Sequence, residues 1–98
     1  MSVKDKVAFI TGASSGIGKA AALLLAREGA KVCGLSRNEN ELRKTVQEIE
    51  QLGGTAMYVV GDISKPEEIQ RAIAKTVDAF GRLDIVFANA GINGVWAP

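Results

Sequence analysis

The stretch Thr11-Gly12-Ala13-Ser14-Ser15-Gly16-Ile17-Gly18 joins an apolar run at residues 7–10 to an alanine-rich amphipathic segment. This context predicts a strand, a glycine turn and a helix, in that order. Glycines let the backbone turn tightly and let phosphate oxygens approach where a Cβ atom would collide. The helix that follows directs unpaired N–H groups and the positive end of its dipole at an anion. We therefore expect a pocket for the pyrophosphate of a dinucleotide; the alternative is a tight turn without a ligand.

Strands and helices are predicted to alternate along the whole chain. The apolar periodicity indicates strands at 6–11, 31–36, 56–61 and 83–88, helices at 15–28 and 39–52, and a third helix from Ser64 to its end at Gly81. Right-handed crossovers between parallel strands give the order 3-2-1-4, with the ligand at the switch between strands one and four. The expected fold is a single α/β domain over residues 1–98. It is a Rossmann-type three-layer sandwich, half of a doubly wound parallel sheet (β-α-β-α-β-α-β).

Each helix is predicted to bury one apolar face. Ser64 and Glu67 fit a capping box at the start of the third helix, and Pro66 sits in its first turn. Gly29 is expected as a left-handed cap of the first helix, and Gly81 marks the end of the third. The residues expected to face inward are Ile17, Ala20, Ala21, Leu24 and Leu25 in the first helix, Leu42, Val46, Ile49 and Leu52 in the second, and Ile69, Ile73, Val77 and Phe80 in the third.

Composition and charge narrow the possible partners. A formal net charge of +1 gives no electrostatic case for nucleic acid or an anionic membrane. The longest apolar runs have the length of strands, so we expect no segment that spans a bilayer. Histidine is absent, which removes the usual metal ligand and general base, and no metal site is expected. The single cysteine, Cys33, is interpreted as a small buried thiol, and the expected compartment is the cytoplasm.

The glycine spacing T-G-x-x-x-G-x-G differs from the common G-x-G-x-x-G fingerprint. It resembles the cofactor loop of the short-chain dehydrogenase/reductase family, in its single-domain branch. Asp62-Ile63 after the third strand and Asn89-Ala90-Gly91 after the fourth continue this resemblance, which matches only the family's N-terminal, nucleotide-binding half. Around the pyrophosphate we expect backbone roles for Gly12, Gly16 and Gly18, and N–H or hydroxyl contacts from Ser14, Ser15 and Ile17.

The end of the second strand bears on the choice between the two nicotinamide cofactors. An NAD-binding site usually has Asp or Glu there to bond the ribose hydroxyls, whereas this chain has Ser36-Arg37-Asn38. The Arg37 guanidinium can bind a 2′-phosphate bidentately, while Ser36 and Asn38 supply neutral donors. These residues favour NADP(H) over NAD(H). In the alternative interpretation, Arg37 is merely solvated and Glu39 binds the ribose.

Two further motifs acquire roles through the resemblance. In family members an Asp at the Asp62 position accepts a hydrogen bond from the adenine amino group, and the next residue, here Ile63, contributes backbone. Asp62 can also shape the turn before Ser64, and both roles can hold together.

The Asn89 amide can tie neighbouring strand ends, Ala90 follows it, and Gly91 leaves room for the nicotinamide ribose. An ordinary asparagine–glycine turn is the alternative for this last motif, and the family's usual preceding asparagine is Ala88 here.

The family's catalytic groups are not found in this sequence. The resemblance implies a Tyr, a Lys four residues later, a Ser and an Asn, but the only tyrosine is Tyr58, with Asp62 four residues on. No residue is therefore assigned a catalytic role, and Tyr58 is interpreted as core or sheet surface.

We expect this chain to be the cofactor-binding half of a longer NADP(H)-dependent oxidoreductase that acts on an alcohol or carbonyl compound. The 98 residues alone are expected to be inactive. A bare fourth strand favours association into a homo-oligomer. The alternative function is a non-catalytic dinucleotide-binding or scaffold module.

Overall fold

Four strands and three helices alternate in the computed structural model, which describes residues 2–13 and 16–88. In chain order they are β1 Val7–Thr11, α1 Gly16–Arg27, β2 Lys31–Ser36, α2 Glu39–Gln51, β3 Thr55–Val60, α3 Pro66–Phe80 and β4 Ile85–Ala88. The predicted elements are all present, with ends that differ by one or two residues. None of the helices in this described part of the chain is long and apolar enough to cross a membrane.

The described strands form one parallel sheet in the order β3-β2-β1-β4. Phe9, at the middle of β1, pairs with Cys33 on one side and with Val86 on the other. Helices α1 and α2 pack on one face of the sheet, and α3 packs on the opposite face. The expected α/β class, the Rossmann-type topology and the strand order 3-2-1-4 are confirmed.

Alternating side chains of β1 contribute to two cores, one on each face of the sheet. Ile10 packs with Leu42 beneath α1 and α2, whereas Phe9 packs with Leu35 and Ala72 beneath α3. Cys33 belongs to this second core and is fully buried, as predicted. Burial raises the pKa of its thiol, and a hydrogen bond with Thr76 opposes that effect only partly.

Helix α1 presents its small residues, rather than its large ones, to the sheet. Gly18, Ala22 and Ala26 recur every fourth position on one face and are buried. Their small side chains leave α1 close to the strands, so the larger apolar residues turn away; Ile17 is 69% exposed. The predicted inward face is wrong for Ile17, Ala20 and Leu24, whereas Ala21 and Leu25 are half-buried.

The predicted faces of α2 and α3 hold except near their C-terminal ends. Thr45 and Thr76 complete these faces, and their hydroxyls donate to the Glu41 and Ala72 carbonyls at 3.1 and 2.8 Å, which satisfies both buried groups. Leu52 is exposed because it caps α2 rather than continuing it. Of the remaining predicted residues, Leu42 and Ile49 are buried, and Val77 is exposed. The residues that are partly buried are Val46, Ile69, Ile73 and Phe80.

The capping box predicted at the start of α3 is wrong. Lys65 is the N-cap and contributes no side-chain cap bond. The Ser64 hydroxyl instead donates to Asp62 Oδ1 at 2.7 Å. Pro66 occupies the first turn as predicted, and Gly81 ends the helix at a left-handed φ of 82°.

Strand β4 is covered on only one face by the described residues. Phe87 packs against the core beneath α1 and α2, but Val86, which points to the α3 side, is 57% exposed. The expected apolar edge is present among the described residues.

Candidate cofactor-binding site

The loops that follow β1, β2 and β3 meet at one rim of the sheet. The Gly12 N–H donates to the Leu35 carbonyl at 2.8 Å, and the Gly61 N–H donates to the Ser36 carbonyl at 2.9 Å. These bonds continue the strand ladder into the loops, so the glycine loop, the segment after β2 and the Asp62 turn share one edge. The predicted residues Asn89, Ala90 and Gly91 follow β4 and lie outside the described residues.

Two glycines of the loop adopt a backbone conformation that other residues rarely adopt. Gly12 and Gly16 have left-handed φ values of 68° and 59°. A Cβ atom built on Gly16 would meet nothing within 4 Å, so open space lies over this position. Gly18 is buried against the sheet. Ser14 and Ser15, the predicted hydroxyl donors, lie outside the described residues.

The start of α1 lacks the acidic residues that begin the other helices. No acidic residue occupies its first turn, whereas α2 begins with Glu39 and Glu41 and α3 with Glu67 and Glu68. Carboxylates in a first turn offset the positive end of the helix dipole. The N-terminal end of α1 therefore keeps its attraction for an external anion, which fits a diphosphate.

Gly34 positions the glycine loop, although the sequence reasoning gave it no role. A Cβ atom at Gly34 would lie 2.7 Å from the Ala13 Cβ, so any larger residue would push the loop off β2. Ala13 is buried, and its carbonyl accepts a hydrogen bond from the Thr45 hydroxyl at 3.4 Å. A glycine inside a strand is the sequence signal for such a close approach.

The segment after β2 is organised by its own hydrogen bonds. The Ser36 hydroxyl accepts a bond from the Asn38 N–H at 3.1 Å. The Asn38 side chain in turn caps α2 by accepting from the Glu41 N–H at 3.1 Å. Arg37 lies between them, exposed, and forms no ion pair with any residue in the described ranges. Its guanidinium is thus available to a ligand at the rim.

Glu39 is engaged by protein groups. Its Oε2 accepts a hydrogen bond from the Tyr58 hydroxyl at 3.0 Å and lies 3.8 Å from Nη2 of Arg43. Tyr58 is half-buried on β3 and packs against the core beneath α1 and α2, consistent with its interpretation as core or sheet surface. These contacts hold the Glu39 carboxylate against β3, which favours Arg37 over Glu39 as the ligand-binding side chain.

Asp62 forms a tight turn and carries a stabilised negative charge. Its Oδ1 accepts from both the N–H and the hydroxyl of Ser64, at 2.9 and 2.7 Å. These hydrogen bonds hold the pKa of Asp62 below its usual value, and the positive charges of Arg37 and Lys65 lower it further. The turn-shaping role is therefore present, while the contact with adenine stays a prediction. Ile63 is half-buried and packs against the core beneath α3.

The chain matches known oxidoreductases over nearly its whole length. Residues 6–97 match the family described as short chain dehydrogenase. An uncharacterized oxidoreductase of Listeria monocytogenes is 45% identical over 94% of the chain. An A-factor type gamma-butyrolactone 1′-reductase of Streptomyces virginiae is 49% identical over 85% of the chain and 32% of its own length. The chain spans about 37% of the length of the Listeria protein.

A solved structure with a similar fold contains a nicotinamide cofactor. Carveol dehydrogenase from Mycobacterium avium, in complex with NAD, superposes with a TM-score of 0.84 at 30% sequence identity. The match covers 89% of this chain and 36% of that protein.

Proposed function

The chain belongs to the short chain dehydrogenase family, and we propose that it is the cofactor-binding part of a longer NADP(H)-dependent oxidoreductase. The reaction class is the interconversion of an alcohol and a carbonyl compound, for which the nicotinamide, when bound, supplies or accepts the hydride. The named activities of the Streptomyces reductase and the Mycobacterium dehydrogenase support this class. Since the chain has no Tyr-x-x-x-Lys sequence, we propose that these residues bind the cofactor but do not catalyse the reaction alone.

The observation that carries this proposal is the turn from β1 into α1. The left-handed backbone at Gly12 and Gly16 leaves open space above a helix start without acidic residues. A diphosphate fits this position because backbone N–H groups and the helix dipole favour negative charge there.

The remaining motif residues are assigned around that anchor. Asp62 would accept from the adenine amino group, with Ile63 beside it. The residues proposed to hold the diphosphate are Gly12, Ser14, Ser15, Gly16, Ile17 and Gly18, and those proposed near the nicotinamide ribose are Asn89, Ala90 and Gly91.

Arg37 would confer the preference for NADP(H). The segment Ser36-Arg37-Asn38 has no carboxylate to repel a 2′-phosphate, and the carboxylate of Glu39 is held by Tyr58. A charge-assisted hydrogen bond contributes about 1.5–3 kcal/mol, which corresponds to roughly a tenfold to hundredfold preference over NAD(H).

Titration with the two reduced cofactors tests this function. The fluorescence of the nicotinamide is followed as protein is added to NADPH and, separately, to NADH. Tighter binding of NADPH, by roughly ten to a hundred times, is expected from the charge-assisted contact. Binding of neither cofactor would favour a scaffold without a ligand. Equal binding of NADPH and NADH would contradict only the role of Arg37 in the preference for NADPH.

We also propose that the protein forms a homo-oligomer and is located in the cytoplasm. The exposed apolar side of β4, represented by Val86, supports a homo-oligomer. The buried free thiol of Cys33 and the absence of other cysteines support a cytoplasmic location.

A further inference from the structure

Glu68, in the first turn of α3, reaches back to the loop that precedes its own helix. Its Oε1 accepts a hydrogen bond of 2.6 Å from the N–H of Asp62, in a partly buried position. A carboxylate that accepts from a backbone N–H forms a charge-assisted bond, stronger than one between neutral groups. The contact fixes the peptide that carries the Asp62 side chain.

Gly61 makes this reach possible. A Cβ atom at Gly61 would lie only 2.9 Å from Oε1 of Glu68 and 3.1 Å from Cδ1 of Leu35. The absence of a side chain therefore lets the carboxylate approach the backbone between β3 and the Asp62 turn. One turn further along α3, Nη2 of Arg71 donates to the carbonyl of Val60 at 3.4 Å. Helix α3 thus holds the backbone on both sides of Gly61.

The Asp62 carboxylate is consequently fixed from two directions. Glu68 holds its backbone N–H, and Ser64 donates two hydrogen bonds to its Oδ1. Ser64 lies in the same turn as Asp62, so its bonds alone set only the local shape of that turn. Glu68 links the turn to a helix that packs against the core, and this link sets where the carboxylate stands on the rim.

We propose that Glu68 is a positioning residue that holds Asp62 for recognition of the exocyclic amino group of the purine. This inference rests on the proposed function, in which Asp62 accepts from that amino group. Glu68 itself acts through its bond to the Asp62 N–H and needs no contact with the nucleotide.

The test compares NADPH with its hypoxanthine analogue, in which a carbonyl oxygen replaces the amino group. Both are titrated by nicotinamide fluorescence against the full chain and its Glu68→Gln and Glu68→Met variants. The analogue cannot donate the hydrogen bond from the amino group to the Asp62 carboxylate. The unsubstituted chain should therefore bind NADPH roughly ten times more tightly than the analogue. Glu68→Gln keeps an acceptor oxygen and should keep this preference, whereas Glu68→Met should reduce it to about twofold or less by the same reasoning.

Two further variants make the result decisive. Glu67→Met removes the neighbouring exposed carboxylate and should leave the preference unchanged. Gly61→Ala displaces the Glu68 carboxylate without removing it and should reproduce the Glu68→Met result, which covers the case in which Glu68→Met does not fold. A full preference in whichever of these two variants folds would overturn the positioning role of Glu68. Failure of the unsubstituted chain to bind NADPH would instead contradict the proposed function.

Discussion

Substitutions at Arg37 and Gly16, each compared with a matched control, distinguish effects on cofactor binding from effects on folding. Arg37 is exposed and contributes no ion pair to the fold in the described ranges. Gly16 contributes a backbone conformation that other residues adopt at a cost. The effect of each substitution on cofactor binding can therefore be compared with that of a matched substitution elsewhere in the chain.

Arg37→Ala is expected to weaken NADPH binding while leaving NADH binding almost unchanged. The loss should be about tenfold to a hundredfold, because one charge-assisted contact to the 2′-phosphate is removed. The control is Arg43→Ala, an exposed arginine on α2 that pairs with Glu39. Parallel titrations with both reduced cofactors provide the measurement. Equal weakening of NADPH and NADH would show that Arg37 does not read the 2′-phosphate.

Gly16→Ala is expected to impair both stability and binding, whereas Gly53→Ala should impair stability alone. Both glycines have a left-handed φ, and a Cβ atom at either would meet nothing within 4 Å. The strain should therefore lower the free energy of unfolding by a similar amount, about 1–2 kcal/mol each. Only the Cβ at residue 16 would intrude on the proposed diphosphate. Urea unfolding and NADPH titration of both variants check this, and unimpaired binding by Gly16→Ala would argue against the site.

The described motif residues Gly12, Arg37 and Asp62 could be placed at one rim from the sequence because each follows a strand, and parallel strands end at the same edge. Gly34 and Glu68 could not be given their roles in this way. Gly34 matters because Ala13, twenty-one positions earlier, packs on it, and Glu68 matters because its carboxylate reaches the Asp62 N–H. Both roles depend on tertiary contacts that neither spacing nor residue type reveals.

At the level of strands and helices, the topology and most of the inward faces of α2 and α3 were predictable, whereas the inward face of α1 was not. Alternating apolar runs and right-handed crossovers leave few possible strand orders. The inward face of α1 was wrong because hydrophobicity favours Ile17 and Leu24, whereas close packing on the sheet requires Gly18, Ala22 and Ala26. The capping box failed because the Ser64 hydroxyl is taken by Asp62.

Asp84 joins the start of β4 to the start of β1, and this link should depend on pH. Its Oδ2 accepts from the Val7 N–H at 2.9 Å, and both carboxylate oxygens accept from Arg82 at 2.8 Å. The bonds from Arg82, and then the one from Val7, hold the pKa of Asp84 below its usual value. A lowered folded pKa stabilises the fold above the unfolded value of about 3.9, and that contribution is lost as the pH falls through the folded pKa.

Asp84→Asn should therefore lower the urea midpoint at pH 7, and the difference from the unsubstituted chain should shrink as the pH falls below about 4. Urea unfolding between pH 7 and pH 3 measures this. Asp78→Asn, at an exposed aspartate on α3, serves as the control. A difference that stays constant over this range would mean that the charge of Asp84 does not stabilise the strand pairing.

For the molecule as a whole, we expect behaviour in solution to depend on the side of β4 that the described residues leave exposed. The exposed apolar surface around Val86 lies on the edge strand of the described sheet. Apolar side chains and the backbone N–H and C=O groups of an edge strand both favour association with another chain. The 98-residue chain is therefore expected to self-associate at micromolar concentration and to bind NADPH without turning over an alcohol or carbonyl substrate.

Val86→Lys should reduce that association, because a charge on an apolar edge opposes pairing. Light scattering of the variant and of the unsubstituted chain gives the mass of each species. Val60→Lys, which places the same charge at an exposed position on the opposite edge strand β3, is the control. A monomeric unsubstituted chain with cooperative melting would contradict the role of the β4 surface.

A crystal structure of the chain grown with NADPH is the most direct test of the diphosphate site. We expect diphosphate oxygens within hydrogen-bonding distance of the backbone N–H groups at Gly16–Gly18, with the adenine beside Asp62. A nucleotide bound elsewhere, for example in the apolar groove between α3 and β4 that Ile69, Ile73 and Val86 line, or protein side chains filling the space above Gly16, would contradict it.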